Sequence, residues 1–163
     1  MTRKLLLGIL AVLATGLIIG VLLLPNDIKK IEQSLAKGRR AMDEENVTKI
    51  MSLISRDYSD TYGLTFGSLR SIFARTFFQV DSIDVRYTIH AITLHKKTAT
   101  VSIDITVSGI MTNTRHFIVG GEDTPQRLKL TYTKEGFFWH VTESLWRDPG
   151  FLENVFGEPL PIH

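Results

Sequence analysis

The spacing of the apolar residues changes near residue 81, and this change limits the possible folds more than any other feature of the sequence. Before it, apolar residues recur every three or four positions, as on one face of an amphipathic helix. After it, they alternate with polar residues, as in 83–90 and 100–107, which is typical of half-buried strands. Helices followed by strands predict an α+β domain with its helices on one face of a mainly antiparallel sheet.

Three helices are predicted before the change. Asp27 suits the N-cap of the first, whose apolar stripe continues to Met42. A second helix follows the acidic break at 43–46 and carries its own apolar set: Val47, Ile50, Met51 and Ile54. A third covers 67–78. The intervening stretch 56–66 is rich in Asp, Ser, Thr and Gly, which predicts a loop or a short strand.

Five strands are predicted after the change. The turn at 95–98 joins the first two, and two more lie around 115–119 and 128–133. A KEG turn then leads into the last strand. Its alternation places Phe137, Trp139 and Val141 on the aliphatic face, and Phe138, His140 and Thr142 on the opposite face.

Residues 5–24 form an uncharged run of twenty residues, long enough to cross about 30 Å of hydrocarbon as a helix. A cleaved signal peptide is the alternative, because Arg3 and Lys4 precede the run; however, the run is long and leads directly into Pro25. We therefore expect an uncleaved signal-anchor in 1–25. Gly16 and Gly20 form a GxxxG pair that could pack two such helices, although glycine is also common in membrane helices generally.

The orientation of the anchor follows from two opposing observations. Basic residues after the run outnumber Arg3 and Lys4, which by charge count favours a cytoplasmic domain. A short basic leader before a long apolar run is, however, typical of an exporting anchor. We expect a single-pass protein of the bacterial inner membrane with its domain, 26–145, in the periplasm, and a tail at 146–163 that packs on the domain or a partner.

Composition excludes several kinds of site. The chain has no cysteine, so disulfides, thiolate metal sites and a cysteine nucleophile are excluded. Arg3 and Lys4 account for the net charge of +2, which leaves the rest of the chain neutral and argues against nucleic-acid binding. The five histidines lack the spacing of a metal site, and we predict no metal and no cofactor.

Several stretches resemble the nuclear transport factor 2-like superfamily. GRRAMDEENVTKIMSLISRDYSDTYG looks like its opening helices and short strand, and GFFWHVTES like its closing strand. YSDTYGLTFGSLRSIF and TATVSIDITVSG are similar to small, membrane-anchored bacterial members of uncharacterised function. The resemblance covers about residues 28–145 and implies a cone-shaped domain whose curved sheet wraps around a pocket closed by helices. Such folds include ketosteroid isomerase, scytalone dehydratase and SnoaL-type cyclases, and also binding and assembly modules.

The resemblance implies a pocket or an open sheet face as the working surface. We predict that this surface includes six aromatic residues: Tyr62, Phe73, Tyr87, Tyr132, Phe138 and Trp139. A catalytic site of the isomerase kind would need a carboxylate base and a tyrosine, for which Tyr58, Asp60 and His140 are candidates. The DYSD stretch is better explained by Asp side chains that cap backbone amides in a loop.

We therefore expect a membrane-anchored, non-catalytic domain that binds a small apolar ligand or a protein partner. Association into a homodimer or with an envelope protein is part of this expectation, and an assembly factor is a related reading. The alternative is an isomerase, dehydratase or cyclase that acts on a hydrophobic substrate. An acidic or imidazole side chain beside a tyrosine on the pocket floor would favour the enzyme.

Overall fold

The computed structural model describes residues 27–148, which form three helices followed by five strands. The helices are α1 (Asp27–Asp43), α2 (Val47–Met51) and α3 (Phe66–Gln79). The strands are β1 (Asp81–His95), β2 (Thr98–Met111), β3 (Thr114–Val119), β4 (Gln126–Glu135) and β5 (Phe138–Trp146). The predicted α+β order and the hairpin turn after His95 are confirmed.

The five strands form one curved antiparallel sheet in the order β1-β2-β4-β5. Strand β3 pairs with the last part of β2, whereas β4 pairs with residues 98–105 of it. Bulges interrupt the register of β1 with β2 and of β4 with β5. Because a bulge bends its strand and increases the local twist, these irregularities fit the curvature.

Helix α1 packs on the concave face of the sheet through two residues one turn apart. Ile31 is fully buried, and Leu35 lies beside it in the main hydrophobic cluster. Their partners come from three strands: Ala99, Val101, Ile103, Leu128, Tyr132 and Trp139. Burying a side chain such as Ile31 stabilises a fold by about 1.5–3 kcal/mol.

The start of α1 is joined to the sheet by polar contacts. The Asp27 carboxylate accepts hydrogen bonds from Lys134 Nζ at 2.9 Å and from Trp139 Nε1 at 3.1 Å. The Asp27 side chain, which we expected to cap the helix, thus links it to β4 and β5. These hydrogen bonds lower the pKa of Asp27, first through Lys134 and then through Trp139.

The segment after α2 protects the edge of the sheet. Ile54, which we expected in this helix, instead forms a parallel bridge with Val141 of β5. Val141 N donates to Leu53 O at 3.0 Å, and Ser55 N donates to Val141 O at 2.9 Å. Without this segment, the backbone groups at the edge of β5 would be unpaired. Their hydrogen bonds to residues 53–55 favour an extended backbone there over continuation of the helix.

The last strand has the predicted register over its first half. Trp139 is buried in the main cluster, and Phe138 is 70% exposed on the opposite face. Phe137, expected beside Trp139, is 82% exposed because it lies in the turn at Gly136, whose φ is +63°. Asp84 and Asp104 also lie away from the aliphatic layer, in ion pairs with Arg86 and Arg127.

Within residues 27–148, no helix has the length and apolar character needed to cross a membrane. The predicted anchor at 5–24, its Gly16 and Gly20 pair, and the tail from 149 lie outside the described residues. These remain predictions.

Candidate ligand-binding site

A cavity of about 300 Å³ lies between the concave face of the sheet and helices α1 and α3. Its walls are mainly aliphatic and aromatic. The polar groups among the described lining residues are six hydroxyls, one indole N–H and one guanidinium: Ser34, Tyr58, Thr76, Tyr87, Tyr132, Ser144, Trp146 and Arg39. No carboxylate and no imidazole belongs to that described lining. This composition suits an apolar molecule with few polar groups.

Helix α3 forms one wall without packing tightly against the sheet. Leu69, Ile72, Phe73 and Thr76 line the cavity, at the spacing of one helical face. None of the α3 residues is fully buried. The apolar face of the helix therefore borders a cavity, and a capping box between Thr65 and Ser68 fixes its first turn.

Tyr58 and Ser144 form a hydrogen-bonded pair on the cavity wall. Tyr58 Oη donates to Asp60 Oδ2 at 2.8 Å and lies 2.7 Å from Ser144 Oγ, which can donate to it in turn. Burial raises the pKa of Tyr58, so this phenol stays protonated. Because both hydroxyl protons are already engaged, this end of the cavity can accept a hydrogen bond from a ligand but has no proton to offer.

Asp60 lies behind this pair and does not line the cavity. Its other oxygen, Oδ1, accepts hydrogen bonds from Tyr62 N at 2.9 Å and Leu64 N at 3.0 Å. The carboxylate therefore organises the loop before α3, as the capping interpretation of DYSD predicts.

Ser34 and Tyr132 bring two further hydroxyls to the cavity from α1 and β4. Ser34 is 8% exposed, and its Oγ has no hydrogen bond within the geometric limits to any described residue. Burial raises the pKa of Tyr132, and the nearby Ser34 hydroxyl acts in the opposite direction. Ser34 is thus a buried hydroxyl that can still serve a ligand.

Arg39 contributes the one charged side chain of the described lining. Its side chain is 51% exposed and also lines the cavity, so it lies where the cavity meets solvent, at the mouth. Arg39 Nε lies 3.7 Å from Asp43 Oδ2, a long contact between two half-exposed groups. A pair of this kind is weak, so the guanidinium can engage another anion.

The structure distributes the residues singled out from the sequence over several places. Four lie on the cavity wall: Tyr58, Phe73, Tyr87 and Tyr132. Trp139 lies in the core, and Tyr62 Oη bonds both the carbonyl and the amide of Trp146, which holds the end of β5. Phe138 lies on the open face of the sheet, and His140 Nδ1 lies 3.4 Å from Glu135 Oε2, away from the cavity.

Sequence reasoning missed four polar lining residues, namely Ser34, Arg39, Thr76 and Ser144. Ser34 and Arg39 could have been found by widening the apolar stripe of α1, since each lies within one turn of Leu35. Ser144 could not be found by alternation. A bulge between Val141 and Ser144 reverses which residues of β5 face the cavity. Val141, Ser144 and Trp146 therefore all line it.

Solved structures share this architecture. A proposed scytalone dehydratase from Novosphingobium aromaticivorans matches 74% of this chain and 83% of its own, with 14% identity and a TM-score of 0.64. A proposed dehydratase of the nuclear transport factor 2-like family from Streptomyces avermitilis matches 72% and 92%, with 12% identity and a TM-score of 0.60. A nuclear transport factor 2-like protein with a cystatin-like fold, also from Novosphingobium aromaticivorans, matches 80% and 86%, with 14% identity and a TM-score of 0.58. The described chain has the nuclear transport factor 2-like fold.

This result confirms the fold that the sequence resemblance implied. No protein-family model and no curated protein matches the chain. At 12–14% identity the likeness extends to the fold alone, because one fold hosts many unrelated activities. The function of this domain is therefore inferred from its own cavity.

Proposed function

We propose that this domain binds a small apolar ligand in the cavity between α1, α3 and the sheet, without transforming it. The observation that carries the proposal is the apolar wall of α3, whose residues Leu69, Ile72 and Phe73 face open space. Apolar surface of this kind is stabilised when a ligand removes it from water.

Acid–base catalysis is the alternative, and Tyr58 with Asp60 is the observation in its favour. A catalytic base must reach the proton that it removes, directly or through one water. Asp60 is separated from the cavity by Tyr58 and Ser144, and its oxygens are engaged with them and with the loop amides. The described wall therefore supports binding better than proton transfer.

The two tryptophans of the chain provide a test with an internal control. Trp146 lines the cavity, whereas Trp139 is buried in the core beside Asp27. We would label the full-length chain with 5-fluorotryptophan in lipid nanodiscs, assign the two fluorine signals with Trp→Phe variants, and titrate with octanamide, an uncharged apolar molecule. Saturable movement of the Trp146 signal, with little movement of the Trp139 signal, is expected. An equal change in the chemical shift of both signals would contradict the proposal, because it would indicate a general effect of the lipid-soluble probe. Adding empty nanodiscs controls for uptake of the probe by lipid.

A pair of variants on α3 sharpens this test. Thr76→Phe places a ring into the cavity, whereas Ala74→Phe adds the same ring on the exposed side of the same helix. We expect Thr76→Phe to abolish the Trp146 response and Ala74→Phe to retain it. A response that survives both changes would mean that the ligand lies elsewhere.

Anchoring through residues 5–24 is part of the proposal, with the domain in the periplasm of a bacterium. Its support is the uncharged run and its basic leader. A C-terminal reporter that is active in the periplasm and inactive in the cytoplasm is expected, and the reverse pattern would refute the orientation. Gly16 and Gly20 are proposed to pair two anchors, while exposed Phe138 offers a contact for a second copy or an envelope protein.

A further inference from the structure

The charged and hydroxyl groups of the cavity wall limit the chemistry of the ligand. Arg39 is the one charged side chain among the described lining residues, and it stands at the mouth. The other polar groups of the described lining are hydroxyls and the Trp146 indole, none of which carries a charge. A second charge deep inside would have no counter-charge there and would lose its hydration, which costs several kcal/mol.

We propose that the ligand is an apolar molecule with a single carboxylate, bound with its carboxylate at Arg39 and its apolar body inside the cavity. This inference rests on the proposed function and specifies the substrate class of the same site. A planar guanidinium can donate two parallel hydrogen bonds to a carboxylate, which makes arginine well suited to this recognition. The long contact with Asp43, at 3.7 Å, competes weakly for the guanidinium.

Ser34 independently indicates that the cavity takes a molecule with a polar atom. Its hydroxyl is buried, lines the cavity and has no short, well-directed hydrogen bond to a described residue. A ligand with a polar atom can therefore engage it together with the nearby Tyr132 hydroxyl. Ser34 and Arg39 lie on the same helix, which allows both to contact one amphipathic molecule.

The size of the cavity sets the size of the ligand. At roughly 30 Å³ for each water-sized group, a volume of about 300 Å³ holds on the order of ten such groups. A medium-chain fatty acid or a one- to two-ring aromatic acid has this size. Octanoate is therefore a suitable probe, and octanamide is its uncharged analogue of equal length.

The experiment compares the affinities of octanoate and octanamide, measured by the Trp146 fluorine signal of the full-length chain in nanodiscs. Since an exposed ion pair contributes up to about 1 kcal/mol, we expect octanoate to bind roughly fivefold more tightly. Arg39→Gln should remove this preference, so that the variant binds octanoate and octanamide with equal affinity. Arg39→Lys should restore part of it, and Arg40→Gln, which changes a neighbouring exposed arginine outside the lining, should retain it in full.

The possible results separate the two proposals. If octanamide binds as tightly as octanoate to the unaltered chain, the carboxylate inference is overturned while the apolar binding function stands. The same conclusion follows if Arg39→Gln and Arg40→Gln reduce the preference equally, because the effect would then be one of general surface charge. If neither probe moves the Trp146 signal, both proposals fail.

Discussion

Tyr58 shows how one residue can line a cavity and hold its wall together. Its hydroxyl joins Asp60 in the loop before α3 to Ser144 on β5. Tyr58→Phe removes this link and leaves Ser144 and Asp60 with fewer partners, so we expect the free energy of unfolding to fall by about 1–2 kcal/mol. Chemical denaturation measures the change. Tyr87→Phe is the control, because Tyr87 also lines the cavity but its hydroxyl has no comparable network among the described residues. A loss as large as that of Tyr58→Phe would refute the argument.

Asp27 makes stability depend on pH at the start of α1. Its hydrogen bonds with Lys134 and Trp139 lower its pKa below the usual 3.8. A depressed carboxylate pKa stabilises the fold above the unfolded-state pKa, and this contribution is lost as the pH falls through the folded-state value. We expect stability to fall below about pH 4, and Asp27→Asn to be less stable at neutral pH and to show a shallower acid limb. Denaturation from pH 7 to pH 2.5 tests this, and an acid limb as steep in Asp27→Asn as in the unaltered chain would contradict it.

Helices α1 and α3 are both amphipathic, but they differ in what their apolar faces contact. Ile31 of α1 is fully buried against the sheet, whereas Ile72 of α3 is only half-buried and faces the cavity. We expect Ile31→Ala to cost about 2–5 kcal/mol of folding free energy. Ile72→Ala should cost less than about 1 kcal/mol, because few contacts are lost and alanine favours the helix. Equal losses in a denaturation experiment would mean that α3 packs as tightly as α1.

The sequence predicted the helices and strands better than it predicted how they pack against one another. Alternation located β1 and β2, and the three- and four-residue spacing located α1 and α3. The same spacing could not reveal that α3 borders a cavity, because an apolar face looks alike whether a sheet or open space lies beside it. Nor could it reveal the role of Ser144, which depends on a bulge formed between two strands.

At the scale of the whole molecule, the proposed function requires that a ligand enters the cavity under the curved sheet. Five antiparallel strands bend around that space, α1 seals one side of it with buried contacts, and α3 borders the other. Arg39 at the mouth of the cavity and Ser34 on its wall would orient an amphipathic ligand. These features together favour a binding domain for a small amphipathic molecule over a domain that acts only through its surface.

The most direct test is to observe which methyl groups a bound ligand touches. Isotope-filtered NMR on the full-length chain, with methyl-labelled Ile, Leu and Val in nanodiscs, would detect nuclear Overhauser contacts from octanamide. We expect contacts with the methyl groups of Ile72, Ile103 and Leu130, which line the cavity on α3, β2 and β4. Contacts confined to exposed apolar residues such as Leu94 and Leu145 would contradict it.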